Sequence, residues 1–598
     1  MNAEPTTVPQ TPDVSKLPMP AKSVRLWPAL TLLALYWAAH FIVDPLEKPY
    51  FVGFLFNLGS AALLALFCLI WWWTIRRVSL RDRLYGFLLI VVGGLIVQPF
   101  CHESIGWWGL LMTGLPVVLT AWALWIVLAR KVSPSWRRRG SVFVVALAWG
   151  FFTLVRIDGL DSSLRADLHW RWHPSAEELF LATRTRTANS APDSQPANRA
   201  GEAVSLRPGD WPAFRGPERE GVVRGVAIAT DWDRAPPQLQ WRQRIGPAWS
   251  SMIVVDGRLY TQEQRGDQEA VVCYDAHTGG ELWSHEDAVR FWESVSGAGP
   301  RATPTFAAGR IYSVGGTGIL NCLNAATGER HWSRDIAAEA GARPPQWGYS
   351  GSPLVANGLV IVFAGGDRDE NLLAYRADTG DPVWSAPAGK ASYSSPQLVM
   401  LAGRRQCLML SDRGLTAVDP MTGVVLWRSG ASMPGAPRSI QPHIVSAAQL
   451  LVGTFDGPGV SLIDVNRDGD NWNVVPRWGS KDLKPEFPDL VVHNGHAYGF
   501  DIGMFCCIDL STGKRCWKEG RYGRGQVVLL AEQSLLVVIS ESGEAVLLAA
   551  NPEQHEEVGR FRALDGKTWN HPVIAHGRLY VRNAEEIACY ELKAASAR

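Results

Sequence analysis

At 598 residues the chain is longer than one ordinary compact domain, and a net charge of +1 gives no electrostatic footprint for nucleic acid. A mean hydropathy of -0.02 hides two unlike halves. Residues 26–156 are strongly apolar, and the rest is mixed and rich in turns.

Residues 1–25 read as a disordered cytoplasmic tail. Five apolar runs follow, at 27–43, 50–74, 84–100, 107–129 and 141–155. They read as helices crossing a hydrocarbon core of roughly 30 Å at 1.5 Å per residue, with a buried soluble helix as the alternative for the fifth and shortest. Arg76, Arg77, Arg81 and Arg83 separate runs two and three, and Arg130, Lys131, Arg137, Arg138 and Arg139 separate runs four and five. Basic loops stay in the cytoplasm, so the N-terminus is expected inside. Five spans then deliver everything after Arg156 to the far side, the periplasm of a bacterial inner membrane. The first run has no small-residue cleavage site after it and reads as a retained anchor. His40 is the main ionisable residue within the runs, which suits an anchor better than a transport pathway; it either packs or faces a quinone headgroup.

Residues 157–210 are expected to be a linker. SAEELFLA (175–182) suits a short amphipathic helix, and 183–203 is a Ser-, Ala-, Pro- and Asn-rich tether. WPAFRGPEREG (211–221) has the aromatic and Pro-Gly content of a segment that packs on the domain after it.

From there one phrase recurs. CYDAHTGGELW ends at Trp283, CLNAATGERHW at Trp332, YRADTGDPVW at Trp384, VDPMTGVVLW at Trp427 and IDLSTGKRCW at Trp517. The copies stand about 45 residues apart, with one doubled interval before the last, and such a period means stacked supersecondary units. Asp256-Gly257, Asn357-Gly358, Asn494-Gly495 and His576-Gly577 each break two β-rich runs as a hairpin turn does. A third strand, the Thr-Gly turn and a Trp-bearing fourth strand complete a four-stranded propeller blade. Blades begin near 251, 303, 352, 395, 442, 489, 526 and 571, which makes the fold an all-β eight-bladed propeller over 211–598 behind the helical bundle. The last blade lacks a strand, and LQWRQRI (239–245) is predicted to supply it and close the ring.

The Thr-Gly…Trp phrase and WPAFRGPEREG resemble the PQQ-like propeller repeat family, also called quinoprotein alcohol dehydrogenase-like. WD40 and kelch repeats fit poorly, because their signatures do not recur. Some members of the resembled family oxidise alcohols or sugars with PQQ and Ca²⁺, and others bind proteins in the cell envelope without a cofactor, so fold alone does not choose. A quinone site would need Ca²⁺ on carboxylate and amide oxygens, a carboxylate base and stacking groups.

The starts of the first strands should line the central channel: Trp249, Arg301, Tyr349, Tyr393, Gln441, His443, Asp489, Gln526, Asn570 and His571. That rim is polar and aromatic, with Asp489 its only carboxylate, and it suits binding better than oxidation. In DVNRDGD, Asp464, Asn466, Asp468 and Asp470 match the first half of a calcium loop, but Val475 replaces the bidentate Glu; the alternative is an Asx-rich turn. Cys507 occupies the third-strand place of Cys273, Cys322 and Cys589, for which apolar packing is a sufficient role; the resemblance offers a redox disulfide with Cys506 as the other reading. The expectation is a membrane-anchored periplasmic binding module for an envelope protein or small ligand, with a PQQ-dependent dehydrogenase as the alternative.

Overall fold

The computed structural model describes residues 27–44, 46, 50–75, 78–161, 165–190, 202–430, 438–453 and 459–595. The expected N-terminal tail and residues 191–201 of the expected tether lie outside them. The chain divides into a helical unit and a β unit, with the main break after Arg156.

The helical unit contains Trp27–Val43, Tyr50–Thr74, Leu80–Val97, a run from Gly106 through one π turn at Leu110–Gly114 to Leu128, and Pro134–Leu154. Ser79 caps the third by accepting from Asp82 N at 3.2 Å. Among the described residues three helices, Val52–Thr74, Leu80–Phe100 and Gly106–Lys131, are long and apolar enough to cross a membrane. The expectation of five is corrected to these three. Trp27–Val43 has only 17 residues. The last helix starts at Pro134, so Arg137, Arg138 and Arg139 fall inside it. It packs through Trp149, whose Nε1 donates to Ile90 O at 3.2 Å. A Cβ on Gly93, Gly94 or Gly114 would stand 2.9–3.1 Å from that indole, so all three glycines are close-approach positions.

Much of the expected linker is structured instead. Strands Val155–Leu160 and Ala166–Trp170 pair, and Leu160 N donates to Val295 O at 2.8 Å. The helix expected at 175–182 runs over Ala176–Ser190. Ser175 and Glu178 form a reciprocal cap, with Glu178 N donating to Ser175 Oγ at 3.1 Å and Ser175 N to Glu178 Oε2 at 2.6 Å. The helix lies on the first blade because its charges are answered there: Glu177 pairs with Arg290 at 2.9 Å and Arg184 with Glu286 at 3.2 Å. Composition suggested a tether because those partners lie about a hundred residues away in sequence.

The β unit has eight blades of at least four antiparallel strands. Strand Gln238–Arg244 pairs with Glu586–Glu591, Ala588 opposite Arg242, so the first propeller strand closes the last blade as predicted. The seventh blade gains a fifth, parallel strand at Val222–Val223. Asp256, Asn357, Asn494 and His576 have φ between +46° and +53° and precede a Gly of positive φ, the backbone of a tight hairpin turn.

Packing between blades explains the repeated phrase. Five fourth-strand tryptophans, Trp241, Trp283, Trp332, Trp384 and Trp478, lie over the Thr-Gly turn of the next blade. A Cβ on the turn glycine would approach the indole to 2.5 Å at Gly328, 2.6 Å at Gly380, Gly423 and Gly513, and 2.8 Å at Gly279. These glycines also have φ of +71° to +78°, so both space and conformation demand them. The indole N–H then donates to a carbonyl of that blade: Trp241 to Ala276, Trp283 to Ala325, Trp332 to Ala377 and Trp478 to Leu510, at 3.0–3.2 Å. Tyr260, Tyr312 and Tyr580 give their hydroxyls to the same carbonyls as Trp283, Trp332 and Trp241. The fifth blade lacks the turn, and Trp427 bonds Gln406 of its own blade at 2.7 Å instead.

Candidate functional site

The inward end of each first strand carries two residues that face the channel, two positions apart as strand pleating requires. One ring is Ser251, Thr303, Ser352, Ser395, Gln441, Asp489, Gln526 and His571. The other, two residues upstream in every blade, is Trp249, Arg301, Ser350, Tyr393, Ser439, Phe487, Arg524 and Trp569.

The first ring ties blade to blade. Ser251 N donates to Thr303 Oγ1 at 3.1 Å, Thr303 N to Ser352 Oγ at 2.9 Å and Ser352 N to Ser395 Oγ at 2.9 Å. Gln441 N donates to Asp489 Oδ2 at 3.3 Å, and Ser251 Oγ to His571 O at 2.5 Å.

The segment 211–221 plugs the channel below this ring. Arg215 is buried, with Nη1 2.8 Å from Asp489 Oδ2 and Nη2 donating to Leu490 O at 2.6 Å. His443 Nε2 lies 2.7 Å from the other Asp489 oxygen. Arg219 donates to Pro353 O at 2.9 Å and Ser352 O at 3.1 Å. Burial would raise the Asp489 carboxyl, but Arg215 and His443 outweigh it and hold it at about 2. Burial, reinforced by Arg215, pushes the His571 imidazole down to about 3, and burial lowers His443 in the same sense.

These shifts give a pH dependence. A free His titrates near roughly 6.5, so on acidification the unfolded chain takes up protons that folded His571 and His443 refuse. Stability is therefore full above pH ~6.5 and falls below it, by up to about 1.4 kcal/mol per pH unit for each such residue until its folded pKa is reached. Melting curves of the detergent-solubilised chain between pH 7 and 4.5 should show this slope, and His571→Gln should make it shallower.

Above the plug lies a cavity of about 210 Å³, lined by the whole second ring, by Trp347 and Glu486, and by Phe214 of the plug. Trp249 and Trp569 stack at 4.9 Å, Phe487 meets Trp569 edge-on at 5.2 Å, and Trp347 faces Tyr393 at 5.2 Å. Lys567 Nζ lies 4.5 Å from the Trp569 ring centre. The cavity's charges are largely balanced: Arg301 pairs with Glu293 at 3.1 Å, and Arg524 with Glu486. Burial lowers Arg301 to about 10 against the pull of Glu293.

Of the ten residues predicted to line the channel, Trp249, Arg301, Tyr393, Gln526 and His571 line the cavity. Gln441, His443 and Asp489 are buried, the last two against the plug. Tyr349 and Asn570 are one residue out of register and turn away: Tyr349 OH donates to Ala364 O at 3.0 Å, and Asn570 Nδ2 to Ser250 O at 2.7 Å. Sequence reasoning missed Trp347, Phe487, Glu486, Arg524 and Trp569. The period of two, counted back from Asp489, Gln526 and His571, would have found Phe487, Arg524 and Trp569.

Asp464, Asn466, Asp468 and Asp470 lie along one hairpin, strands Val460–Asp468 and Asn471–Ser480. Alternate strand residues are about 7 Å apart, so the ladder spreads these side chains instead of gathering them. Asp464 accepts from Gln449 Nε2 at 2.8 Å. Among the described residues no group of three or more His, Cys, Asp or Glu is placed to hold a metal.

A PQQ–Ca²⁺ centre would need open ring faces for stacking and carboxylate oxygens free for the cation. Aromatic rings are present, with Trp249 and Trp569 against each other; of the carboxylates near the cavity Asp489, Glu486 and Glu293 have cationic partners, and Asp161 also lines the wall. Cys506 and Cys507 are free, buried and outside the cavity; Cys507 sits opposite Trp517 in the ladder, the same relation that Cys273, Cys322 and Cys589 have to their tryptophans.

A family model described as outer membrane protein assembly factor BamB matches residues 267–519. Quinohemoprotein alcohol dehydrogenase ADH-IIG of Pseudomonas putida is 28% identical over 201 residues, 32% of this chain. The match spans only 27% of that dehydrogenase's length. BamB of Burkholderia pseudomallei is 22% identical over 333 residues, 47% of this chain and 84% of that protein. Among solved structures, BamB from Moraxella catarrhalis superposes with a TM-score of 0.42 at 16% identity, covering 60% of this chain and all of that one. Quinohemoprotein alcohol dehydrogenase from Comamonas testosteroni gives 0.49 at 14%, covering 70% and 85%. The repeat and the blade order resemble those of the PQQ-like propeller proteins, and the matching family model spans residues 267–519, less than half of the 598.

Proposed function

We propose that the chain is a membrane-anchored bacterial envelope protein whose propeller is a binding module, with the second ring of the channel as its contact surface. One observation carries this reading. The ring concentrates Trp249, Tyr393, Phe487 and Trp569 around a cavity in which Arg301 pairs with Glu293 and Arg524 with Glu486. Large aromatic side chains in a desolvated pocket give contact area at low entropic cost, as binding hot spots do. Relatives named outer membrane protein assembly factor support an envelope setting. The aromatic rings and the 28% identity to a quinohemoprotein alcohol dehydrogenase favour the alternative, a PQQ-dependent dehydrogenase, for which no group of three or more metal-ligating side chains is assembled among the described residues.

The helical unit would anchor the propeller in the inner membrane, with the basic stretches 76–83 and 130–139 in the cytoplasm. A periplasmic propeller then requires helix Pro134–Leu154 to cross as well, its three arginines snorkelling to the cytoplasmic headgroups.

A photoreactive phenylalanine analogue at Ser350, in the second ring, should crosslink in cells to a discrete partner. The same group at Val475, exposed on an outer strand, should not. Trp249→Ala with Trp569→Ala should weaken capture at least about tenfold, as loss of a hot spot does. Equal crosslinking from both positions would count against the reading.

A further inference from the structure

The helical unit holds a second, half-open cavity of about 250 Å³ with no charged residue in its wall. Four helices supply it, through Leu33, Trp72, Gly86, Ile90, Leu119 and Trp122 among others. Gly86 leaves room for two indoles: a Cβ there would stand 2.9 Å from both Trp72 and Trp122, which meet edge-on at 4.7 Å. Trp72 Nε1 donates to Arg83 O at 2.8 Å. Trp122 is 8% exposed, and its Nε1 is buried without an acceptor.

Two costs meet at this place. A void of that size forfeits the contacts its lining would otherwise make. An indole N–H in apolar surroundings forfeits its hydrogen bond. Water would not relieve either, because the wall offers too few polar partners. One kind of occupant relieves both: a flexible hydrocarbon chain with a single acceptor at one end.

The depth of the indole identifies the source. Gly86, level with Trp72 and Trp122, is one helical turn from Asp82 and Arg83, the charged start of its helix. That is the height at which charged side chains meet headgroups and ester carbonyls lie just below them. From Trp122 the cavity reaches Leu115, seven residues and about 10 Å further along the same helix, toward the bilayer centre. We propose that the helical unit holds one membrane phospholipid, with an acyl chain in this cavity and an ester carbonyl accepting from Trp122 Nε1. The inference rests on the reading that these helices cross a bilayer.

The test is native mass spectrometry of the full chain, extracted from membranes in a mild detergent. The wild type should retain one phospholipid per chain. Trp122→Phe, which removes the donor and keeps an aromatic ring, should lower retention about fivefold. Leu119→Trp, which fills the cavity, should abolish it. After delipidation, added dioleoyl phosphatidylethanolamine should raise the melting temperature of the wild type and leave that of Leu119→Trp unchanged. A lipid-free wild type, retention of only detergent or an isoprenoid quinone, or wild-type retention by Trp122→Phe would overturn the proposal. Alkaline carbonate washing separates the two levels: release of the chain from membranes sinks the membrane reading itself, whereas a chain that stays integral but lipid-free sinks this inference alone.

Discussion

Arg215→Met should destabilise the propeller by about 3–5 kcal/mol, the usual cost of removing one partner from a buried ion pair. The guanidinium occupies the channel, where it meets Asp489 and the carbonyls of Glu220 and Leu490. Its loss leaves a buried carboxylate held by the His443 ring and the Gln441 and Leu490 amides, without the guanidinium that balances its charge. The signature would be an altered acid response. In the wild type the stabilisation from Asp489 is present above roughly pH 3.9, its unfolded value, and is lost only as pH falls through the folded pKa of about 2. Without Arg215 that folded value rises, and the loss begins at higher pH. Adding Asp489→Leu to Arg215→Met should recover part of the stability, since replacing both partners removes the uncompensated charge. Urea denaturation of the detergent-solubilised chain, followed across pH, reads both effects.

Trp332→Ala should cost a similar amount, about 3–5 kcal/mol, through the lost contact and the cavity left behind. The indole joins two blades. It lies over Gly380, donates to Ala377 O and packs near Tyr312 at 6.0 Å. Gly380→Ala attacks the same junction from the other side, pushing a methyl into the ring at a φ of +75°. Because both changes act on one contact, the double variant should be less destabilised than the sum of the singles. Trp427→Ala, whose indole bonds within its own blade, should disturb blade docking less.

The architecture of the β unit was legible because its signals are local and repeated. Thr-Gly needs a left-handed backbone under an indole, and Asp256-Gly257 or Asn357-Gly358 needs a tight turn, so each wrote itself into a few adjacent residues. Closure was legible because the last blade was one strand short. The helical unit was less so: hydropathy marked the apolar runs, but the start signal at Pro134 carried the fifth helix back across three arginines.

The site was half legible. First-strand starts were the right place, but a one-residue error of register in a period of two sent Tyr349 and Asn570 into the blades. Asp489 looked like the rim's one carboxylate, and its true partner, Arg215, comes from a segment 274 residues earlier in the sequence. No local pattern announces such a pairing. The helix expected at 175–182 was legible, but its extension to Ser190 and its docking escaped for the same reason, since Arg290 and Glu286, which hold it, belong to the first blade.

The most direct test of a binding module without a redox centre is titration of the purified full chain with PQQ and Ca²⁺, monitored by cofactor absorbance and by dye reduction with sugars and alcohols. The account predicts no stoichiometric uptake and no reduction above that of free cofactor. A saturable band at one cofactor per chain, with substrate-dependent dye reduction, would contradict it.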